Sequence, residues 1–289
     1  MAGNHSVVRP SAILEGGFQA AAPGKINRFL HIVGQRDDGY HLLETGFQFV
    51  DWCDWIHCRI SQTPGVQILS DPMVLGRDNL VYKAASALLS GTRYGVEILI
   101  EKNLPSGGGL GGGSSNAATT LVALNQMLGL GYTNEQLQTF GLTLGTDVPV
   151  FIFGQSCFAS GVGDQFEPMH WPGRQVLIAN PGVHVSTQGI FQNPNLTRDT
   201  PSRRIRASQL DMTRNDCEPL VRETYPAIDR LINRMQAFGE PRMTGTGGCV
   251  FVVDPGNVDS VSEVLGHLAE VKVSLLSNRS MLYTCGAYA

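Results

Sequence analysis

Apolar and polar residues alternate in part over residues 26–33, the period of a half-buried strand, and the run stops at the turn-forming Gln35-Arg36-Asp37-Asp38-Gly39. Residues 47–50, 55–60 and 96–100 are short runs rich in aromatic and β-branched side chains and predict further strands. The period changes to that of a helix over residues 80–89, with Asp78 or Asn79 available as N-cap after a turn-rich connector at 71–78. Helical spacing returns at 114–128, closed by Gly129, and at 134–142. Asp147-Val148-Pro149 then has the Asp N-cap and early proline of another helix start. Beyond residue 154 we expect strands at 176–179, 250–253 and 271–276, helices at 219–238 and 258–268, and a polar surface loop over 193–206. Strands and helices mix without strict β-α-β alternation, so the expected class is α+β. The expected division is an N-terminal extension at 1–20, a first domain at 21–154 and a second at 155–289.

Composition narrows the functional class. The chain has 289 residues, 42% hydrophobic and 16% charged, which suits a globular enzyme with ample core material. A net charge of −4 gives no global attraction to nucleic acid or to an anionic membrane, so neither is an expected partner and any phosphate must be held locally. No apolar run approaches the ~18 residues of a spanning helix. Residues 1–20 lack the basic start and long apolar stretch of a secretory signal. The six cysteines form no C-x-x-C and no zinc spacing, and read as buried small hydrophobes in a reducing, cytoplasmic compartment.

The candidate chemistry begins at residues 105–119, P-S-G-G-G-L-G-G-G-S-S-N-A-A-T, where six glycines surround one leucine and run into a helix. Such a loop aims unpaired backbone N–H groups and the positive end of a helix dipole at one spot, which suits a phosphate chain. Gly107, Gly109 and Gly112 satisfy G-x-G-x-x-G, but the strand before them is six residues away and no acid follows about 20 residues later, as a dinucleotide loop requires. Gly24-Lys25 is followed by Ile26, so it is not a Walker A loop. A mere linker would run on into Ser, Gly or Pro, whereas this one runs into helically spaced Ala117, Ala118, Leu121 and Val122.

The pattern that remains resembles the phosphate loop of the GHMP superfamily of small-molecule kinases. Three other blocks fall in the order of that superfamily's motifs and resemble them: Pro23-Gly24-Lys25-Ile26-Asn27, Leu144-Gly145-Thr146-Asp147-Val148-Pro149, and Thr244-Gly245-Thr246-Gly247-Gly248-Cys249. The block Arg36-Asp37-Asp38-Gly39-Tyr40-His41 is similar to R-x-D-G-Y-H of the branch whose acceptor carries a cytidine diphosphate group and serves isoprenoid precursor synthesis. The resemblance implies a two-domain α+β kinase fold with its active site in the cleft between domains. It implies ATP as phosphoryl donor, with Mg2+ carried on it, and a 2-hydroxyl on a small methylerythritol derivative as acceptor.

Site residues are carried over on the same basis. ATP phosphates are expected on Pro105, Gly107, Gly108, Gly109, Leu110, Gly111, Gly112, Gly113, Ser114 and Ser115, with Asn79 and Lys102 towards the nucleotide's outer end. Asp147 is the expected general base and Lys25 its charge partner, although locally Asp147 also suits a plain N-cap. Asn27 lies two residues from Lys25, on the same face of a strand. Tyr40 and Phe191 are expected to stack on cytosine, His41 to bond its polar edge, and Thr187 to be a polar neighbour. Gln188 stands where the family has a frequent proline, which predicts a less rigid segment before Phe191. Other readings are a GHMP kinase for a different small alcohol and a nucleotide-binding regulatory protein without catalysis. A monomer or weak homodimer is expected.

Overall fold

A computed structural model describes residues 14, 17–70, 79–202 and 214–283. The predicted connector at 71–78, most of the N-terminal extension and Cys285 lie outside the described residues. Two long antiparallel strands, β1 (Phe18–Gln35) and β2 (His41–Ser61), form the spine. The predicted turn joins them, closed by Gly39 N–H donating to the Arg36 carbonyl at 2.9 Å. Phe18, Gln19 and Ala20 already pair with Cys58, His57 and Ile56, so β1 starts inside the stretch expected to be an extension.

The remaining strands are β3 (Gly65–Ile68), β4 (Gly95–Glu101), β5 (Cys157–Ser160), β6 (Gln165–Pro168), β7 (Gln175–Asn180), β8 (Pro241–Met243), β9 (Val250–Val253) and β10 (Glu270–Ser277). The order β3-β4-β2-β10-β7-β9-β8 makes one continuous sheet, with β1 and the β5–β6 pair attached through β2. β10 links the halves: it pairs with β7 along its length and, at Leu276 and Ser277, with Val50 and Phe49 of β2. A cut near residue 155 therefore crosses the sheet.

Helices α1 (Leu80–Leu88), α2 (Gly112–Met127), α3 (Asn134–Leu142) and α4 (Val148–Phe153) cover one half. Their apolar faces meet Phe49, Ile56, Val96 and Ile98 in the first core. α5 (Thr187–Gln192), α6 (Glu218–Thr224), α7 (Pro226–Met235) and α8 (Val261–Leu265) cover the other. There Ile190, Val221, Leu231 and Ile232 pack with Leu177 and Val252, and with Leu30 and Ile32 from the far end of β1. A smaller core of Ile26, Val50, Leu104, Leu110, Ile178, Cys249 and Phe251 lies between them. Cys53, Cys58, Cys157, Cys217 and Cys249 are buried and form no disulfide among the described residues, and burial alone pushes the Cys58 thiol up to about 12. Among the described residues no helix is long and apolar enough to cross a membrane.

Three element predictions change. Residues 47–50 and 55–60 are parts of one 21-residue strand. The helix expected at 219–238 is two, because Pro226 lacks the N–H that would continue α6 and instead opens α7. α2 starts at Gly112, two residues before the predicted Ser114.

Candidate active site

The glycine loop is held open by its own leucine. Leu110, expected among the phosphate-binding residues, is 1% exposed and plugs the middle core. Its carbonyl accepts from Lys25 N–H at 3.0 Å, which ties the loop to β1. Gly111 takes φ 72° as the N-cap of α2, and no side chain caps the helix. Gly112, Gly113 and Ser114 therefore offer uncapped N–H groups, and they line a cleft of about 780 Å³. Ser115 is fully buried behind them, and its hydroxyl has no hydrogen-bond partner among the described residues.

The second glycine turn backs the first. Cys249 N–H donates to the Gly108 carbonyl at 2.9 Å, and Thr244 Oγ1 donates to the Gly109 carbonyl at 3.3 Å. A Cβ on Gly109 would lie 2.3 Å from the Thr244 carbonyl oxygen. Asn215 braces the turn by donating to the Met243 and Gly245 carbonyls at 2.9 and 2.8 Å.

Lys25 and Asp147, remote in sequence, meet here. β1 is bulged on both sides of Lys25 to Asn27, which aims these side chains at the cleft. Lys25 Nζ lies 3.3 Å from Asp147 Oδ2 and donates to Asn27 Oδ1 at 2.7 Å. A lysine only 2% exposed requires such partners. Asn27 is fixed in turn: its Nδ2 donates to Thr45 Oγ1 at 2.8 Å and its N–H to Thr244 Oγ1 at 3.0 Å. Asp147 does precede α4, yet its side chain makes no capping hydrogen bond. The carboxylate is turned to the lysine and the cleft instead, with 38% of its side chain exposed.

Lys102 lines the cleft but is already paired with Asp54. Asp54 is fully buried and also accepts from the N–H groups of Asn103 and Leu104, each at 2.7 Å. It thus fixes the segment from which the glycine loop departs. Asp54→Ala leaves two buried amides without an acceptor and Lys102 without its partner. We expect it to lower the unfolding free energy in urea by about 3 kcal/mol and to raise the KM for ATP. Asn79 also lines the cleft, and its Oδ1 accepts from Val81 N–H at 2.8 Å as the N-cap of α1.

At the other end of the cleft lie Thr187 and Phe191. Thr187 Oγ1 is 2.8 Å from Thr246 Oγ1, so α5 touches the second glycine turn. The segment expected to be loose at Gln188 is a short helix, capped by Ser186 Oγ accepting from Gly189 N–H at 3.1 Å. His41 stacks on Phe191 with ring centres 4.9 Å apart. Burial, and then the Arg198 cation, hold its pKa below the ordinary imidazole value. Tyr40 stands at the β1–β2 turn, 57% exposed, and neither it nor His41 lines the cleft; His41 adjoins it through its stack on Phe191. The sequence reading missed Asp54, Asn215 and Arg198; an acid inside an apolar strand was the available signal for Asp54, because it has to be paired.

Two family models match the chain, the GHMP kinases N terminal domain over residues 79–155 and the GHMP kinases C terminal over 196–268. A Nitrosococcus oceani protein named 4-diphosphocytidyl-2-C-methyl-D-erythritol kinase is 47% identical over 251 residues, covering 86% of this chain and 88% of its own. The chain belongs to the GHMP kinases. A Pseudomonas aeruginosa protein of the same name as the Nitrosococcus one is 44% identical over 267 residues, covering 91% of this chain and 95% of its own. The crystal structure of a 4-(cytidine 5'-diphospho)-2C-methyl-D-erythritol kinase superposes with a TM-score of 0.78 at 30% identity, covering 90% of this chain and 99% of the other. The fold is thus the two-domain GHMP kinase fold of mixed helix and sheet, and the chain is a phosphotransferase that takes its phosphoryl group from ATP.

Proposed function

We propose that the chain phosphorylates the 2-hydroxyl of 4-diphosphocytidyl-2-C-methyl-D-erythritol, a step in isoprenoid precursor synthesis. The observation that carries this reading is the Lys25–Asp147 pair at 3.3 Å, facing the same cleft as the uncapped start of α2. On this reading residues before about 155 hold the triphosphate and those after it contribute much of the acceptor's pocket.

Phosphoryl transfer needs the donor clamped, the transferred charge offset and the acceptor oxygen in line. N–H groups of the glycine loop clamp the phosphates. Asp147 takes the proton of the 2-hydroxyl as its oxygen attacks the terminal phosphorus, and ADP leaves. In a loose transition state that proton departs late, so an ordinary carboxylate is basic enough. Lys25, steadied from behind by Asn27, lends positive charge to the moving phosphoryl group. The 2-hydroxyl sits on a crowded tertiary carbon, so alignment contributes more than nucleophilicity.

Magnesium is expected with ATP. Among the described residues no three His, Cys, Asp or Glu side chains form a metal cage. A cation carried on phosphate and water needs only one or two protein oxygens. Asn116, which lines the cleft and whose Oδ1 has no hydrogen-bond partner among the described residues, would supply one. Such a cation would offset charge on the phosphate chain.

On this reading the cytosine stacks on Phe191, which lines the cleft, and Tyr40 and His41 reach it from the turn and the start of β2 beside that cleft. Tyr40→Ala is expected to raise the KM for the cytidyl substrate about tenfold with little change in kcat, since stacking on a base contributes about 1–3 kcal/mol. An unchanged KM removes the stacking role. The test of the whole reading is a product assay with ATP and the cytidyl alcohol against mevalonate and sugar acceptors. A stoichiometric 2-phosphate supports it; faster turnover of another alcohol, or ATP binding without acceptor-dependent ADP release, overturns it.

A further inference from the structure

Arg198 has no role in the transfer as described, yet its whole guanidinium is engaged at the acceptor end of the cleft. Nη1 donates to the Leu196 carbonyl at 2.9 Å, and Nη2 to the Phe191 and Asn193 carbonyls at 2.9 and 2.8 Å. Those three carbonyls fix the plane of the group. Nε then donates to His41 Nε2 at 3.0 Å.

A guanidinium has donors and no acceptor, so the nitrogen facing it must present a lone pair. A neutral imidazole in that position carries its one proton on Nδ1. The ring is held from a second side by its stack on Phe191, whose carbonyl is bound by the same arginine. The lowered imidazole pKa at this position agrees with a neutral ring near pH 7.

We propose that Arg198 is a positioning residue that locks His41 as its Nδ1–H tautomer and so selects a cytosine over a uracil in the acceptor. This rests on the reading above that the acceptor carries a cytidine diphosphate. Ring N3 of cytosine is an acceptor, whereas N3 of uracil carries a hydrogen. An Nδ1–H opposite cytosine N3 makes a hydrogen bond, and opposite uracil it meets a second donor and leaves both unpaired. A histidine free to exchange tautomers could offer uracil the Nδ1 lone pair and would discriminate poorly. The selectivity therefore comes from the arginine acting through the ring.

Two measurements test this. In the wild-type protein at pH 7.5, the ¹³Cδ2 and ring ¹⁵N shifts of His41, assigned by their loss in His41→Gln, should show the Nδ1–H form. A protonated Nε2 or an imidazolium overturns the proposal without any variant. Secondly, kcat/KM is compared for the cytidyl alcohol and its uridyl analogue. We expect a preference of about 100-fold for cytidyl in the wild type. We expect it to fall about tenfold in Arg198→Met, mainly through the cytidyl KM, and to be partly kept in Arg198→Lys, whose ammonium is also a pure donor. A folded Arg198→Met with the wild-type ratio, or a wild-type ratio near one, overturns the proposal. Should the wild type turn over neither substrate, the acceptor assignment itself fails, and the selectivity claim falls with it whatever tautomer is seen.

Discussion

Asp147→Asn should lower kcat at least about 100-fold while the KM for ATP changes less than about threefold. The amide matches the carboxylate in shape and still reaches Lys25 as an acceptor, so the cleft keeps its form. It cannot take a proton from an alcohol at any pH, so raising the pH should not restore the rate. ATP affinity should survive because, on the proposed reading, the phosphates rest on the uncapped backbone N–H groups at the start of α2 and not on Asp147. Stability should also survive. The Asp147 side chain is 38% exposed and caps nothing, so losing its ion pair costs at most about 1 kcal/mol. Lys25 keeps Asn27 Oδ1 as a partner at 2.7 Å. Steady-state kinetics with a thermal melt on the same preparation separate these terms. A folded Asp147→Asn with near wild-type kcat removes Asp147 as the base.

How far the sequence shows this site depends on what each residue answers to. Residues governed by neighbours along the chain were legible. The alternation of β1, the helical period of α1 to α3 and the glycine loop each follow from local pattern. Residues governed by distant partners were missed or misread. Asp51 and Asp54 interrupt the apolar run of β2 and so resemble turn residues. In the structure Asp51 accepts from Leu275 N–H at 2.8 Å and Asp54 from Asn103 and Leu104, which stitches β10 and the approach to the loop onto β2. A charge inside a strand looks like a break only until its tertiary partners are known. Leu110 was misread for the opposite reason: set among glycines it looks like part of a cradle, but one leucine in such a loop is the anchor that lets the glycines stay at the surface. The meeting of Lys25 with Asp147 left no local trace, because it depends on a β-bulge and a helix start brought together by packing. Family resemblance supplied that pair where periodicity had nothing to say. Arg198 was invisible for the same reason, since its chain of bonds reaches back to the β1–β2 turn.

Gly109→Ala should raise the KM for ATP at least about tenfold and lower stability by about 2–3 kcal/mol, because strain and collision act together. Gly109 has φ +76°, a left-handed conformation that costs an L-residue about 1–2 kcal/mol. The added methyl also lands 2.3 Å from the Thr244 carbonyl oxygen, a backbone atom that no rotamer change can move aside. Relief requires the two glycine turns to separate. That breaks the Thr244 bond to the Gly109 carbonyl and strains the Cys249 bond to Gly108. The N–H groups leading into α2 are then no longer presented as one surface. Thr244 Oγ1 also receives the N–H of Asn27, so the disturbance reaches Lys25 through its neighbour. Gly131→Ala is the control: φ there is +78°, nearly the same, but nothing lies within 4 Å of the added methyl. It should cost only the conformational share, about 1–2 kcal/mol, and leave the KM for ATP untouched. Equal effects of the two substitutions on ATP binding would show that backbone strain alone matters and that the back-to-back packing of the two turns does not shape the phosphate site. A loss of ATP binding confined to Gly109→Ala ties the cradle to the turn behind it.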